Sequence, residues 1–320
     1  MQGLFYRVMQ RFFITNADIG RKDGKENFRS PGAVLAIGNL DGVHKGHAAL
    51  LSRAKELATE KAVPAAVMSF SPHPRLFFQP DAAPFLLTDD DTKTTLLEEK
   101  GIDCLYSVQF DAALAEMSAL DFIRSLLVGT VGCGTVIVGE DFRFGKSRLG
   151  DIDILKQAGE AYGFELQTLS LVTDDKAGVF SSSRVRDCIR AGDISGANAL
   201  LGWNWHYPVT VLDSERDDSG LTCLSAKAAN PAVLPPKPGG YTGFARITGG
   251  NPAANTIRKV FILHNTPDLV RIFFDARFYT APIPAGATLA LHPEDETKTE
   301  GLSAATAEWL MQQGNKRESS

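Results

Sequence analysis

Only four cysteines occur in the 320 residues, and Cys104, Cys133, Cys188 and Cys223 lie far apart. None has the close pairing that a zinc site or a redox-active disulfide needs, so all four are expected to be thiols in a reducing compartment. Positive charge is not in excess either: 38 Asp and Glu outnumber 33 Lys and Arg, for a formal net charge of −5. With no basic stripe to displace counterions from a phosphate backbone, nucleic acid is not an expected partner. No apolar run approaches membrane-spanning length. The N-terminal stretch, with Arg7 and Arg11 among Phe and Met, lacks the apolar core of a cleavable signal. The expected location is the cytoplasm. What remains is an ordinary globular composition in a chain long enough for two domains.

The first two-thirds alternates strand-like and helix-like runs. Ala33–Ile37, Ala65–Phe70, Cys104–Phe110, Thr135–Val138 and Phe164–Leu171 read as buried strands. Between them, helical patterns run over Ala48–Lys61, over Asp89–Lys100 with Thr88 as N-cap, from Ser118 through Leu127, and over Ile152–Tyr162. Such alternation implies a parallel sheet covered on both faces, with ligands at the carboxyl ends of its strands.

The most informative string sits after the first of these strands: Gly38-Asn39-Leu40-Asp41-Gly42-Val43-His44-Lys45-Gly46-His47. Three glycines let backbone N–H groups approach an anion closely, and the following helix N-terminus adds its dipole. Two histidines separated by two residues can both face that anion, so the string reads as a triphosphate site. The plainer alternative is a tight turn with surface histidines. A second phosphate-binding candidate is Ser181-Ser182-Ser183-Arg184-Val185-Arg186, where Ser182 and Ser183 suit a helix N-cap and Arg184 can neutralise a phosphate bidentately. Arg186, two residues on, either joins it or faces solvent. His73 lies in a rigid turn between Pro72 and Pro74, directly after Phe70-Ser71. Gly139-Glu-Asp-Phe-Arg-Phe-Gly145-Lys146-Ser147 nearly spells a P-loop. It has one residue too many between the glycines, and two are phenylalanines where the loop should wrap phosphate. It reads better as a loop offering the Asp141 carboxylate beside aromatic surface, with Phe142 and Phe144 either lining that surface or entering the core.

In this order these motifs resemble the prokaryotic FAD synthetase family, in which an FMN adenylyltransferase module precedes a riboflavin kinase module. The likeness is dense over roughly residues 32–210 and includes Leu87-Thr88, Leu97–Gly101, Gly192-Asp193 and Leu200-Leu201-Gly202. It implies an α/β, Rossmann-like parallel-sheet nucleotidylyltransferase domain over 1–203 and a small all-β, riboflavin kinase-like barrel over 204–320. It also implies ATP and FMN as substrates, FAD as product and Mg²⁺ accompanying ATP. The resemblance makes His44, His47, Ser182 and Arg184 the catalytic candidates. The binding candidates are Gly38, Asn39, Asp41, Gly42, Gly46, Phe70, Pro72, His73, Pro74, Gly139, Asp141, Phe142 and Ser183. Asn39 and Asp41 would orient the turn and the metal. No residue is assigned as a direct metal ligand. Leu40 departs from the family's usual Phe.

After Gly202 the runs shorten to Pro208–Leu212, Gly243–Ile247, Val260–Leu263 and Leu269–Phe274, separated by Gly, Pro and Asn. That suggests a small antiparallel barrel or sandwich. Leu234–Tyr241 resembles the strand entry of the riboflavin kinase barrel. The family's Pro-Thr-Ala-Asn loop, which holds metal and phosphates, is replaced by Gly220-Leu221-Thr222-Cys223-Leu224, and its glutamate base falls at Lys259, in Arg258–Ile262. A lysine charged at neutral pH does not deprotonate an alcohol. The expectation is therefore an adenylyltransferase carrying a degenerate kinase barrel, with Glu215 and Asp275 as the acids that could substitute. A non-catalytic flavin- or nucleotide-binding regulatory protein is the alternative from another class, and a still bifunctional enzyme is a third. A modest helix is expected at Ala304–Gln313.

Overall fold

The computed structural model describes residues 8–20, 30–174, 178–216, 221–248, 258–266, 269–275 and 283–296. The helix expected at Ala304–Gln313 lies outside them, as does Gly220. Contacts divide the chain into two compact units: 1–83 with 88–182, and 84–87 with everything from 183 onward.

The first unit is built on six strands: β1 (Gln10–Ile14), β2 (Val34–Ile37), β3 (Ala65–Ser71), β4 (Cys104–Gln109), β5 (Thr135–Gly139) and β6 (Glu165–Leu169). All pair in parallel, in the order β1-β4-β3-β2-β5-β6. Every residue of β2 is buried, as its unbroken apolar run requires of a central parallel strand. Strands β3 and β4 extend the sheet on one side of β2, and β5 and β6 on the other. The order therefore reverses at β2, and its carboxyl end opens at a topological switch point. Strand β1 was not read from the sequence: QRFFI is an edge strand with only Ile14 fully buried, so its pattern carries no clean alternation.

Helix α1 (Lys45–Glu60) buries Leu50, Leu51, Ala54, Leu57 and Ala58 on one face. It begins three residues before the expected Ala48, which places Gly46 and His47 inside its first turn. After the short α2 (Pro74–Phe78), α3 (Asp90–Glu99) is capped by Asp89, whose carboxylate accepts from the Thr92 N–H at 2.8 Å. Thr88 is thus not the cap; its polar groups are used elsewhere. Helices α4 (Ala112–Glu116) and α5 (Ala119–Asp121) follow, and Ser118 caps the latter as expected. The chain then continues as a π-helical segment, Phe122–Val131, beyond the expected end at Leu127. Helix α6 (Ile152–Tyr162) matches its predicted bounds.

The second unit contains α7 from Ser183 on (the helix spans Ser182–Ala191), α8 (Ile194–Leu201) and six strands: β7 (Tyr207–Arg216), β8 (Leu221–Ala228), β9 (Gly239–Thr248), β10 (Arg258–Thr266), β11 (Leu269–Asp275) and β12 (Thr288–Glu296). They close a barrel in the order β10-β11-β8-β7-β12-β9, all pairs antiparallel. Residues Leu221–Leu224, expected to stand in place of a phosphate-binding loop, run instead within β8. All four cysteines are free thiols; burial pushes Cys133 up to about 12 and Cys223 to about 11.

Candidate active site

Just past β2, the Gly38 N–H donates to the Met68 carbonyl at 3.1 Å, and the Asn39 carbonyl accepts from the buried Ser69 hydroxyl at 3.3 Å. Leu40 and Val43 then take φ of +50° and +39°, and Gly42 takes +82°. A β-branched residue rarely adopts that region, and here the buried side chains of Leu40 and Val43 hold the backbone in it. Asp41 is buried, and its carboxylate accepts from the Thr88 N–H at 3.4 Å, while the Thr88 hydroxyl accepts from the Gly42 N–H at 3.4 Å. The Asp41 carbonyl accepts from the Ser182 hydroxyl at 2.8 Å. Asp41 therefore fastens the turn to two distant segments.

His44 is the N-cap of α1. Its Nδ1 accepts from the His47 backbone N–H at 3.3 Å, and its carbonyl accepts from the Ala48 N–H at 2.8 Å. Cap and third helical position share a face, so the two imidazoles stack, with centroids 3.7 Å apart and planes inclined by 20°. Gly46 makes this possible: a Cβ there would lie 3.1 Å from the His44 ring and 3.3 Å from the Phe180 carbonyl. Because His44 Nδ1 is an acceptor, its proton in the neutral form sits on Nε2. Desolvation, with His44 beside it, holds the His47 pKa well below the ordinary range. His47 Nδ1 is sealed from solvent, with no hydrogen-bond partner among the described residues. The pair stands at a helix N-terminus, a place that favours anions.

The other candidates occupy neighbouring strand ends. At the end of β3, the Ser71–Pro72 peptide is cis, and His73 caps the one-turn α2, its Nδ1 accepting from the Arg75 N–H at 3.1 Å. Pro72 is exposed and Pro74 half-buried. Phe70 meets Phe110 edge-on at 6.1 Å and lies 6.4 Å from Phe122. Phe77, Phe78 and Phe110 form an aromatic cluster that sequence reasoning missed, and Phe78 is 64% exposed. The only signal was the unused Phe-Phe pair after the proline turn.

At the end of β5, the Asp141 carboxylate folds back so that a Cβ on Gly139 would meet its Oδ1 at 3.0 Å. Phe142 stays half-buried and stacks on Phe144 at 5.5 Å, while Phe144 belongs to the core. Gly145–Ser147 leads into a 3₁₀ turn, with Ser147 and Arg148 at φ of +54° and +58°, and the next helix starts only at Ile152. No helix N-terminus follows the glycines, so the P-loop likeness is spurious.

Helix α7 begins at Ser182 itself, so Ser182 and Ser183 are helical residues and not the cap. Ser183 is exposed and Arg184 half-buried. Arg186 is half-buried. Its Nε donates to the Phe85 carbonyl at 2.7 Å, and its guanidinium lies over the Phe85 ring at 5.5 Å. Among the described residues no group of three or more His, Cys, Asp or Glu is placed to hold a metal ion. The structure thus brings His44, His47, Asp41, Gly42, Gly46 and Ser182 into one cluster. Phe70, the proline turn and the Gly139 loop stand at the ends of the strands flanking β2.

Residues 27–184 match the FAD synthetase family. The chain is 39% identical over 185 residues to the bifunctional riboflavin kinase/FMN adenylyltransferase of Pseudomonas fluorescens, covering 58% of this chain and 59% of that protein. It is 41% identical over 172 residues to the Escherichia coli strain K12 protein of the same description, covering 53% and 54%. In these two alignments the chain spans under two thirds of the relative's length. With the Bacillus subtilis protein, again so described, identity is 30% over 220 residues, 68% of each chain. A crystal structure of a macrolide-efflux protein from Streptococcus pneumoniae shares the fold: TM-score 0.73 at 19% identity, over 96% of this chain and 98% of that one. No helix among the described residues is long and apolar enough to cross a membrane.

Proposed function

The chain belongs to the FAD synthetase family, and from that premise we propose that it transfers AMP from ATP to FMN, giving FAD and diphosphate. The observation that carries this reading is the stacked His44/His47 pair, capping a helix at the switch point of a parallel sheet. A phosphate oxygen of FMN attacks the α-phosphorus of ATP, the bond to the bridging oxygen breaks and diphosphate leaves. No protein nucleophile is needed, so the protein's part is positioning and charge stabilisation.

His44 and His47 donate to the triphosphate as charge moves onto diphosphate, and the Gly42 and Gly46 backbone lets it approach. Ser182, Ser183 and Arg184 hold the leaving group. Gly38, Asn39 and Asp41 hold the turn; the Asp41 carboxylate is engaged by Thr88, so its role here is architectural. Phe70, Pro72, His73, Pro74, Gly139, Asp141 and Phe142 bound the flavin and adenine. Mg²⁺ accompanying ATP would supply neutralisation of the phosphate charge.

The adenylyltransferase domain is taken as residues 1–203 and the barrel as 204–320. Riboflavin kinase activity is taken as lost, because Leu221–Leu224 lies in a strand and the base position is Lys259. ATP and FMN are the partners, nucleic acid is not, and the cytoplasm is the working location. The test is to incubate purified protein with FMN, ATP and Mg²⁺ and separate the flavins: an FAD peak growing with enzyme concentration is expected. Absence of FAD with any divalent cation, with ATP still bound, would replace this reading by that of a nucleotide-binding regulatory protein.

A further inference from the structure

Strand β1 is an edge of the parallel sheet, and among the described residues no strand pairs with its outer side. The backbone groups of successive strand residues point alternately to either side. The Gln10 N–H donates to the Asp103 carbonyl at 2.9 Å. Gln10, Phe12 and Ile14 therefore turn their amide groups toward β4, and Arg11 and Phe13 turn theirs away. The next outward N–H, that of Thr15, is taken by the Asp18 carboxylate at 3.0 Å. Side chains alternate too: Phe12 stacks on Tyr106 at 5.1 Å and Ile14 is buried, whereas the Arg11 side chain is 55% exposed and Phe13 57%. Natural edges are guarded against pairing by Lys, Pro or a bulge. This strand has no lysine, no proline and no break in its register, and its one charge, Arg11, is tied to Glu98 at 2.9 Å. On the opposite edge strand, β6, the exposed positions are Glu165 and Thr168.

We propose that β1 pairs antiparallel with β1 of a second copy of this chain, about a two-fold axis at Phe12. Outward residues must meet outward residues, so the axis falls on Arg11, Phe12 or Phe13. An axis at Arg11 sets that residue against its own copy, like charge on like. An axis at Phe13 sets Arg11 against Thr15, whose N–H is already spent on Asp18. An axis at Phe12 sets Arg11 against Phe13 of the second copy, and every outward N–H and C=O of both residues then finds a partner. The same register lays each guanidinium beside a Phe13 ring, as a cation–π contact, and brings the two Phe12 side chains together on the other face. The strand is thus complementary to itself, as a two-fold interface requires. The contact is small, and a dissociation constant of about micromolar is expected.

The test is sedimentation velocity on the full chain over a nanomolar to high-micromolar concentration series, with amide hydrogen exchange read at both ends of the range. A reversible monomer–dimer equilibrium is expected, with exchange at Arg11 and Phe13 slowing as the dimer forms. Phe13→Lys places a second positive charge opposite Arg11 and should leave a monomer with an unchanged melting temperature, since the side chain it replaces is exposed. Combining it with Arg11→Glu sets opposite charges face to face and should restore the dimer, a rescue that a loss of fold or of a merely greasy patch would not show. A wild type that stays monomeric throughout overturns the proposal. So does a monomer whose Arg11 and Phe13 amides exchange slowly at every concentration, which assigns the edge to another segment of the chain. A dimer that survives Phe13→Lys, or one that the charge-swapped pair fails to restore, overturns it as well.

Discussion

In the first unit the buried polar side chains Asp41, His44, Ser69 and Thr88 gather around the carboxyl end of β2, each with a hydrogen-bond partner. The barrel is filled differently. Leu224, Ala245, Ile247, Val260, Ile272, Phe274, Ile283 and Leu289 line a cavity of only about 10 Å³, room for roughly one water molecule. The buried polar side chain that stands out in the barrel is His264, 1% exposed, with neither ring nitrogen paired among the described residues. Organised burial of polar groups costs free energy that packing alone would not demand, and it marks where ligand chemistry is prepared. The contrast is between a cluster of hydrogen-bonded buried polar groups at the sheet and an apolar lining inside the barrel.

The largest effect expected from this contrast is absence of one activity: riboflavin with ATP and Mg²⁺ should yield no FMN. A kinase site must gather metal, γ-phosphate and a base around one hydroxyl, whereas on the function proposed above β8 stands at the loop position and Lys259 at the base position. An FMN peak that grows with enzyme concentration in a time course would break the comparison outright. Next in size, His47→Ala should lower kcat for FAD formation by roughly a hundredfold or more, the scale of losing one preorganised donor. Unchanged turnover in that variant would reduce the stacked pair to a helix cap.

Sequence and structure agree where one local signal suffices. The apolar run of β2, the glycines and the i, i+3 histidines are contiguous, so the core of the candidate site is legible in ten residues. The helix start was misplaced because Lys45-Gly46 looks like loop; only the fold shows that His44 caps the helix with its own ring. Thr88 was misread as a cap because its partners, Asp41 and Gly42, lie 47 and 46 residues away. The same distance problem hid Trp205 on Leu87, 118 residues apart. In the barrel, β8 is Thr-, Ser- and Lys-containing, and β12 carries Pro293 next to a register shift, so neither showed the alternation of a strand.

A smaller effect sharpens what the turn is for. Gly46→Ala places a methyl 3.1 Å from the His44 ring and 3.3 Å from the Phe180 carbonyl, while replacing Gly within a helix by a better helix former. The two consequences oppose each other in stability and add in nothing else. Catalytic efficiency with ATP is expected to fall about tenfold as the imidazole stack is displaced, with a melting temperature within a few degrees of wild type. Loss of folding and activity together would mean that the glycine serves packing alone.

The smallest expected effect tests the barrel side. Burial lowers the His264 pKa, and the same cause, followed by Arg246, lowers that of His292. The folded barrel therefore keeps His264 neutral, while in the unfolded chain the group titrates near its ordinary value of about 6.5. Above that pH both states carry the same charge and the histidine imposes no pH dependence. As pH falls through about 6.5 the unfolded chain binds a proton that the folded barrel refuses, so stability declines until the lowered pKa is reached. His264→Leu removes the refused proton and two unpaired buried nitrogens at once. It should raise the melting temperature by a few degrees at pH 5 to 6 and by less at pH 8, leaving the declines due to His292 and His47 in place. A ligand bound at the His264 nitrogens would produce the opposite pattern: the wild type, supplied with flavin, would gain a stabilisation that His264→Leu lacks, and the barrel interior would then have to be counted as a site.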